Sequence, residues 1–364
     1  MTSRATLVLA NHRPETVSPA MQLMARHDAI ILEEPPDPRF LSMLSGHLAI
    51  DVYLEDQDLE YPEFSRRMAE GLRGLYRSGI HMYQVEPFIG HLIDIHKRFA
   101  DGQRPSDLPA GTDLERVYRA ERSATAALID FYEVSIKGSL DDTVAAVKRF
   151  ARADAERFVL RDRLRAQAIA DVLTHCKRTY IEAGQIHYPL WRDLRQRLPA
   201  GYPLKVHFLM SEVVRSMGDN GHLFGPGDLL TLLYRFHPRR RFSREDLLAA
   251  RALIYSKLIL KQEMDGTGTS SPHTRDEIAV EKITARLSLA DCQRLYPHLR
   301  RAPTKTAREM VGHYLARMAV TRPPGFSVGR ESPQNRLPGH SSGLSSASNV
   351  NANFWRNRRA GALC

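Results

Sequence analysis

Two stretches of the chain repeat one pattern: an apolar run, a histidine just past its end, a helix-like stretch, then a second apolar run. The first is Thr6-Leu7-Val8-Leu9-Ala10-Asn11-His12, followed by Ala29-Ile30-Ile31-Leu32. The second is Thr179-Tyr180-Ile181-Glu182-Ala183-Gly184-Gln185-Ile186-His187, followed by Leu204-Lys205-Val206-His207-Phe208-Leu209. His12 precedes Ile30 by 18 residues and His187 precedes Val206 by 19. Short apolar strands joined through a helix are the signature of a parallel sheet covered on both faces. Polar residues past the carboxyl ends of such strands collect in the crevice where open α/β sheets build their sites. The matched histidines therefore predict one site assembled from two parts of the chain.

The rest of the chain fits around these units. Strand 29–32 runs into Glu33-Glu34-Pro35-Pro36, whose prolines end it and expose its carboxyl end. Residues 62–78 place Phe64, Met68, Leu72, Leu75 and Tyr76 at helical spacing, and Gly79 ends the helix. A strand at 81–85 and a helix at 88–99 follow. The first helix is expected to start near Ser18-Pro19, a cap with a first-turn proline. Ser243 with Asp246 three residues later predicts a capping box opening a helix that runs to about Met264. The expected fold class is α/β, with a mostly parallel central sheet built from two related βαβ units, a large helical insertion and a helical C-terminal region. Residues 1–100 form the first α/β half, 101–175 the insertion and 176–215 the second unit. Residues 216–320 form a helical region packed on the core.

Composition narrows the class. With 43% hydrophobic and 26% charged residues, the 364-residue chain reads as a soluble globular protein. No apolar run approaches the roughly 20 residues that span a bilayer, and no signal-peptide pattern opens the chain. Cys176, Cys292 and Cys364 form no CxxC pair, which fits a reducing, cytoplasmic setting. About half of the +10 net charge sits in residues 321–364, which hold six arginines and one glutamate. That stretch, rich in Pro, Gly, Ser and Asn, is expected to be a disordered basic tail. Nucleic acid is an expected partner only through this tail. No phosphate-binding loop, HExxH or GxSxG motif is present.

Candidate site residues follow from strand ends and helix faces. His12 and His187 sit where a histidine acts as general base or metal ligand. Glu33 and Glu34 end the second strand, where a carboxylate orients a histidine or completes a metal shell. Gln84 and Glu86 end the third; Glu86 is expected to cap a helix or pair with a surface arginine. On the helix around 161–165, Phe158, Ile169, Val172 and Leu173 define an apolar face. Arg161, Asp162 and Arg165 project onto it, and Arg163 projects away. Charges on a buried face have to be paired or line a wet cavity.

These parts, in this order, resemble the erythromycin esterase, TIKI and TraB superfamily, which includes the ChaN-like haem-binding proteins. Gly184-Gln185-Ile186-His187 fits its GxxH pattern, Glu33 or Glu34 its glutamate, and Arg161 (or Arg163 in a shifted register) its arginine helix. Leu9-Ala10-Asn11-His12 lacks the glycine, and Arg13-Pro14-Glu15 lies outside the pattern. The resemblance implies a hydrolase-like protein acting on an ester or peptide bond of a small molecule or peptide. In that reading His12, His187, Glu33, Glu34 and Arg161 form the site. A divalent Mn, Co or Zn ion held by His12, Glu34 and His187 is the expected cofactor if one binds. The alternative is a non-catalytic ligand-binding or regulatory protein of the same fold.

Overall fold

The computed structural model describes residues 3–55, 57, 59–219, 224–264 and 270–321. The predicted tail, from residue 322 onward, lies outside the described residues, as do residues 265–269. The first half runs β1 (Arg4–Ala10), α1 (Pro14–Met24), β2 (Ala29–Leu32), α2 (Phe40–Ser45), α3 (Ile50–Glu55), α4 (Pro62–Arg77), β3 (His81–Gln84) and α5 (Pro87–Ala100). Then come α6 (Asp113–Lys137), α7 (Leu140–Leu173), β4 (Arg178–Gly184), a 3-10 turn at Gln185–His187, α8 (Leu190–Arg197), β5 (Leu204–Phe208) and α9 (Ser211–Ser216). The C-terminal region is α10 (Pro226–Phe236), α11 (Glu245–Leu258), α12 (Pro272–Ala285), α13 (Leu289–Leu299) and α14 (Thr304–Thr321).

The five strands form one parallel sheet in the order β3-β2-β4-β1-β5. The two repeated units are therefore interleaved. The connection from β1 to β2 steps over β4, and the connection from β4 to β5 steps over β1 in the opposite direction. Right-handed crossovers put the two connecting helices on opposite faces. The packing agrees: Val17, Ala20 and Met24 of α1 join Val8 and Tyr180 in one core, and Leu190 and Leu194 of α8 join Leu7 and Ile181 in the other. Interleaving makes β1 and β4 central neighbours, with Ala10 opposite Gly184 at their carboxyl ends. This is a topological switch point, and both histidine turns leave from it.

α7 links the sheet to the helical region. Leu140, Val144, Val147, Ala151 and Ala155 pack with α11 and α13, while Ala166, Ile169 and Leu173 pack under the sheet. It starts at a capping box in which Ser139 Oγ accepts from the Asp142 N–H and the Asp142 carboxylate accepts from the Ser139 N–H. At Gly71 in α4, an added Cβ would collide with the Met21 thioether of α1. Glycine there lets the two helices approach closely.

Two helix starts differ from expectation. α1 begins at Pro14, directly after the histidine turn, and Pro19 lies inside it. Pro14 needs no N–H partner at the first helical position, and the Thr16 hydroxyl donates to the Arg13 carbonyl at 2.7 Å. α11 begins at Glu245 and ends at Leu258, and Ser243 does not cap it. No side chain caps its first turn; the Glu245 carboxylate instead ties the helix start to the preceding turn and to α10, accepting from Phe242 N at 2.8 Å and Tyr234 Oη at 3.0 Å. Among the described residues no helix is long and apolar enough to cross a membrane.

Candidate functional site

The carboxyl ends of β1 to β4 and one face of α7 converge on a group of ionisable side chains. Its centre is Glu33, just past β2, with a side chain only 5% exposed. The Glu33 carboxylate accepts from Arg161 Nη2 at 3.0 Å and from the Gly184 N–H at 2.5 Å. It also lies 3.1 Å from His187 Nε2 and 3.7 Å from Arg165 Nη1. Burial works against its ionisation, but His187, Arg165 and Arg161 outweigh it and hold the carboxyl well below the ordinary range.

Around Glu33 the charges alternate. Arg161 donates a second hydrogen bond through Nε to Glu86 at 3.0 Å. Burial opposes the Arg161 charge, and Glu86 and Glu33 more than offset it, keeping the guanidinium above its ordinary range. Glu86, expected at the surface, is buried. The arginine it meets comes from the inward face of α7 and is 16% exposed, so the pair stands at the edge of the core and not at the open surface. Arg165 is fully buried and donates to the Val85 and Glu182 carbonyls at 2.9 and 2.6 Å, tying α7 to two strand ends. Arg163 is exposed, as its place on the helix dictates.

His187 lies inside this network. Its Nδ1 is 2.5 Å from Asp162 Oδ1, its Nε2 faces Glu33, and its ring meets the edge of Phe158 at 5.1 Å. Both ring nitrogens are thus engaged by buried carboxyl groups. The GxxH segment supports this placement: Gly184 gives its N–H to Glu33, and the 3-10 turn turns His187 back under β4.

His12 is placed differently. About a third of its side chain reaches solvent. Its ring stacks on Phe64 of α4, with centroids 5.0 Å apart and planes 13° apart. Its Nε2 stands 4.0 Å from Glu182 Oε1. Burial of the ring lowers its pKa, against the pull of Glu33 and Glu34. Glu182 projects from β4 on the side of Tyr180, and its Oε2 accepts from the Glu33 N–H at 3.1 Å. Burial pushes the Glu182 carboxyl up to about 7, with Glu33 adding to the effect and that hydrogen bond opposing it. Glu34 is likewise pushed up to about 7, first by burial and also by Glu182, against a hydrogen bond from Gln84 Nε2 at 2.8 Å.

The site thus has two layers. Asp162, His187, Glu33, Arg161, Glu86 and Arg165 form a buried charged base. His12, Glu182 and Glu34 form the upper layer, and His12 opens to solvent. Sequence reasoning passed over Glu182, although a lone charge inside a buried strand carries a signal of its own. Phe64 gave no such signal, because its apolar helical spacing is that of any core residue. Among the described residues no three His, Cys, Asp or Glu side chains stand where they could hold one ion. Interleaving brings His12 and His187 to the same edge, where His187 is held between Asp162 and Glu33 while His12 faces Glu182.

No protein-family model matches the chain. The fold and site define an α/β protein with a cluster of ionisable side chains at the switch point of a five-stranded parallel sheet. A protein of Archaeoglobus fulgidus, described only as uncharacterized, is 28% identical over 294 residues, covering 80% of this chain and 97% of that protein. A match of that length cannot be confined to the sheet or to the helical region alone. No solved structure matches.

Proposed function

We propose that the protein is a hydrolase of ester or peptide bonds in small molecules or peptides, with a metal-independent acid–base site formed by His12, Glu182 and Glu34. The observation that carries this reading is geometric: the part-exposed His12, stacked on Phe64, stands 4.0 Å from the largely buried Glu182, with Glu34 beside them, and burial pushes both carboxyls up to about 7 while lowering the imidazole pKa. At neutral pH such a site offers a neutral imidazole as proton acceptor and a part-protonated carboxyl as donor. His12 takes a proton from water as the oxygen attacks the carbonyl carbon. Glu182 or Glu34 returns a proton to the departing alcohol or amine. Arg161, part-exposed and anchored by Glu86 and Glu33, supplies positive potential for the charge developing on the carbonyl oxygen. The resemblance of the two histidine units to the esterase superfamily supports ester and peptide bonds as the class.

The test is a panel of aryl esters and short peptides, assayed with and without chelator and with added Mn²⁺, Co²⁺ or Zn²⁺. Turnover is expected for at least one substrate class, unchanged by chelator, and lost in His12→Asn and Glu182→Gln. Binding without turnover across the panel would make the cluster a ligand-binding site and overturn the catalytic reading.

A further inference from the structure

The turn that carries His12 is held from outside the sheet. Asn11 donates from Nδ2 to Glu277 Oε2 of α12 at 3.4 Å, and Arg13 Nη2 lies 3.7 Å from Glu277 Oε1. Two residues later, Glu15 caps the start of α12. Its carboxylate accepts from His273 N at 3.0 Å, Thr274 N at 2.9 Å and Thr274 Oγ1 at 2.6 Å. The stacking partner of His12 is held by the same segment. Glu263, shortly before α12, caps the start of α4 by accepting from Glu63 N at 3.0 Å and Phe64 N at 2.8 Å. Tyr61, which precedes α4, carries the Arg13 guanidinium over its ring at 4.1 Å and meets His273 edge-on at 6.1 Å.

The two caps are reciprocal. α4 and α12 both start with a proline, and each takes the carboxylate of a residue attached to the other side. A carboxylate on the free N–H groups of a first turn satisfies orphan donors and meets the positive end of the helix dipole. Arg13-Pro14-Glu15, the segment outside the esterase pattern, supplies half of this clasp.

We infer that the Glu15–α12 and Glu263–α4 clasp is the positioning element of His12: Glu263 fixes the phenyl ring that His12 stacks on, and His273, Thr274 and Glu277 of α12 fix the turn that bears the imidazole. Glu15, Glu263 and Glu277 touch none of the reacting groups and act through His12. The consequence for chemistry rests on the hydrolase reading; the placement of the ring does not.

The experiment compares Glu15→Gln and Glu263→Gln with Ser288→Ala in the full chain. Ser288→Ala removes another cap of the same helical region, where the Asp291 N–H donates to Ser288 Oγ, and leaves the clasp intact. The His12 ring protons are identified in NMR spectra by their loss in His12→Gln. They should lose the upfield ring-current shift of Phe64 in both clasp variants and keep it in Ser288→Ala. On a substrate that wild type turns over, kcat should fall about 10- to 100-fold in the clasp variants with KM little changed. Unmoved His12 resonances in both clasp variants, or an equal shift in Ser288→Ala, would overturn the inference. Absence of turnover in wild type would sink the hydrolase reading and leave the resonance comparison decisive for the clasp.

Discussion

Replacing Glu33 by glutamine isolates what the buried network contributes. The substitution keeps the shape and removes one charge from a site where Arg161, Arg165 and His187 all face it. Glutamine keeps one acceptor oxygen with its two lone pairs and replaces the other carboxylate oxygen by an NH₂ donor. Arg161 and His187 both face Oε1 and the Gly184 N–H faces Oε2, so the glutamine NH₂ meets either the Gly184 N–H or the Arg161 and His187 side, and in both orientations Arg161 and Arg165 lose the charge of Glu33. A hydrogen bond to a charged group contributes about 1.5–3 kcal/mol, and breaking a buried ion pair on one side costs about 3–5 kcal/mol. Glu33→Gln should therefore lose about 3–5 kcal/mol, a large share of the roughly 5–15 kcal/mol that a folded protein has. Urea unfolding followed by circular dichroism reads this directly. With a slope of about 3 kcal/mol/M the midpoint falls by more than about 1 M, and the slope itself stays constant. The pH dependence adds a second check. The folded-state pKa of Glu33 lies below its unfolded value of 4.5, so its contribution is complete above that value and fades as pH falls through the folded pKa. The gap between wild type and Glu33→Gln should stay level from pH 8 to about 5 and narrow below that. A loss under about 1 kcal/mol at pH 7, or a gap that widens on acidification, would refute the ion-pair reasoning.

Glu34 and Glu182 give the opposite pH signature. Their folded pKa values of about 7 exceed the unfolded 4.5, so the folded state binds more protons between those values and stability falls as pH rises through that window. In Glu34→Gln and Glu182→Gln the decline in unfolding free energy from pH 5 to 8 should be smaller than in wild type; an unchanged slope counts against the raised values. Gly71→Val should destabilise by about 1–3 kcal/mol by pushing α4 off Met21, measured as a lower thermal midpoint. An unaltered midpoint would show that the two helices separate freely.

Much of this molecule was legible in order along the chain. The apolar runs 6–10, 29–32 and 179–183, with helical periodicity between them, specify a parallel sheet because such strands are stable only when covered on both faces. The 100° spacing on α7 also identified Arg161, Asp162 and Arg165 as the charged residues that turn inward, since helix geometry is local. The start of α1 was misplaced because Ser18-Pro19 and Pro14 carry equivalent local signals, and only the folded turn after His12 selects between them. Ser243 failed as a cap for a similar reason: Glu245 finds Tyr234 and Arg152 in the packed region and holds the turn itself.

The two histidine units and the carboxylates behind them are properties of the sequence, because strand ends and spacing are set locally. Their division of labour is decided by tertiary structure. Interleaving places the units side by side, and the inward face of α7 then supplies Asp162 on one side of His187 while Glu33 closes the other. That burial takes His187, the histidine in the intact GxxH, out of contact with water. His12, whose motif lacks the glycine, lies against Phe64 and Glu182 at the opening. No spacing along the chain encodes that exchange, because it depends on which side chains the crossovers and α7 bring to each ring.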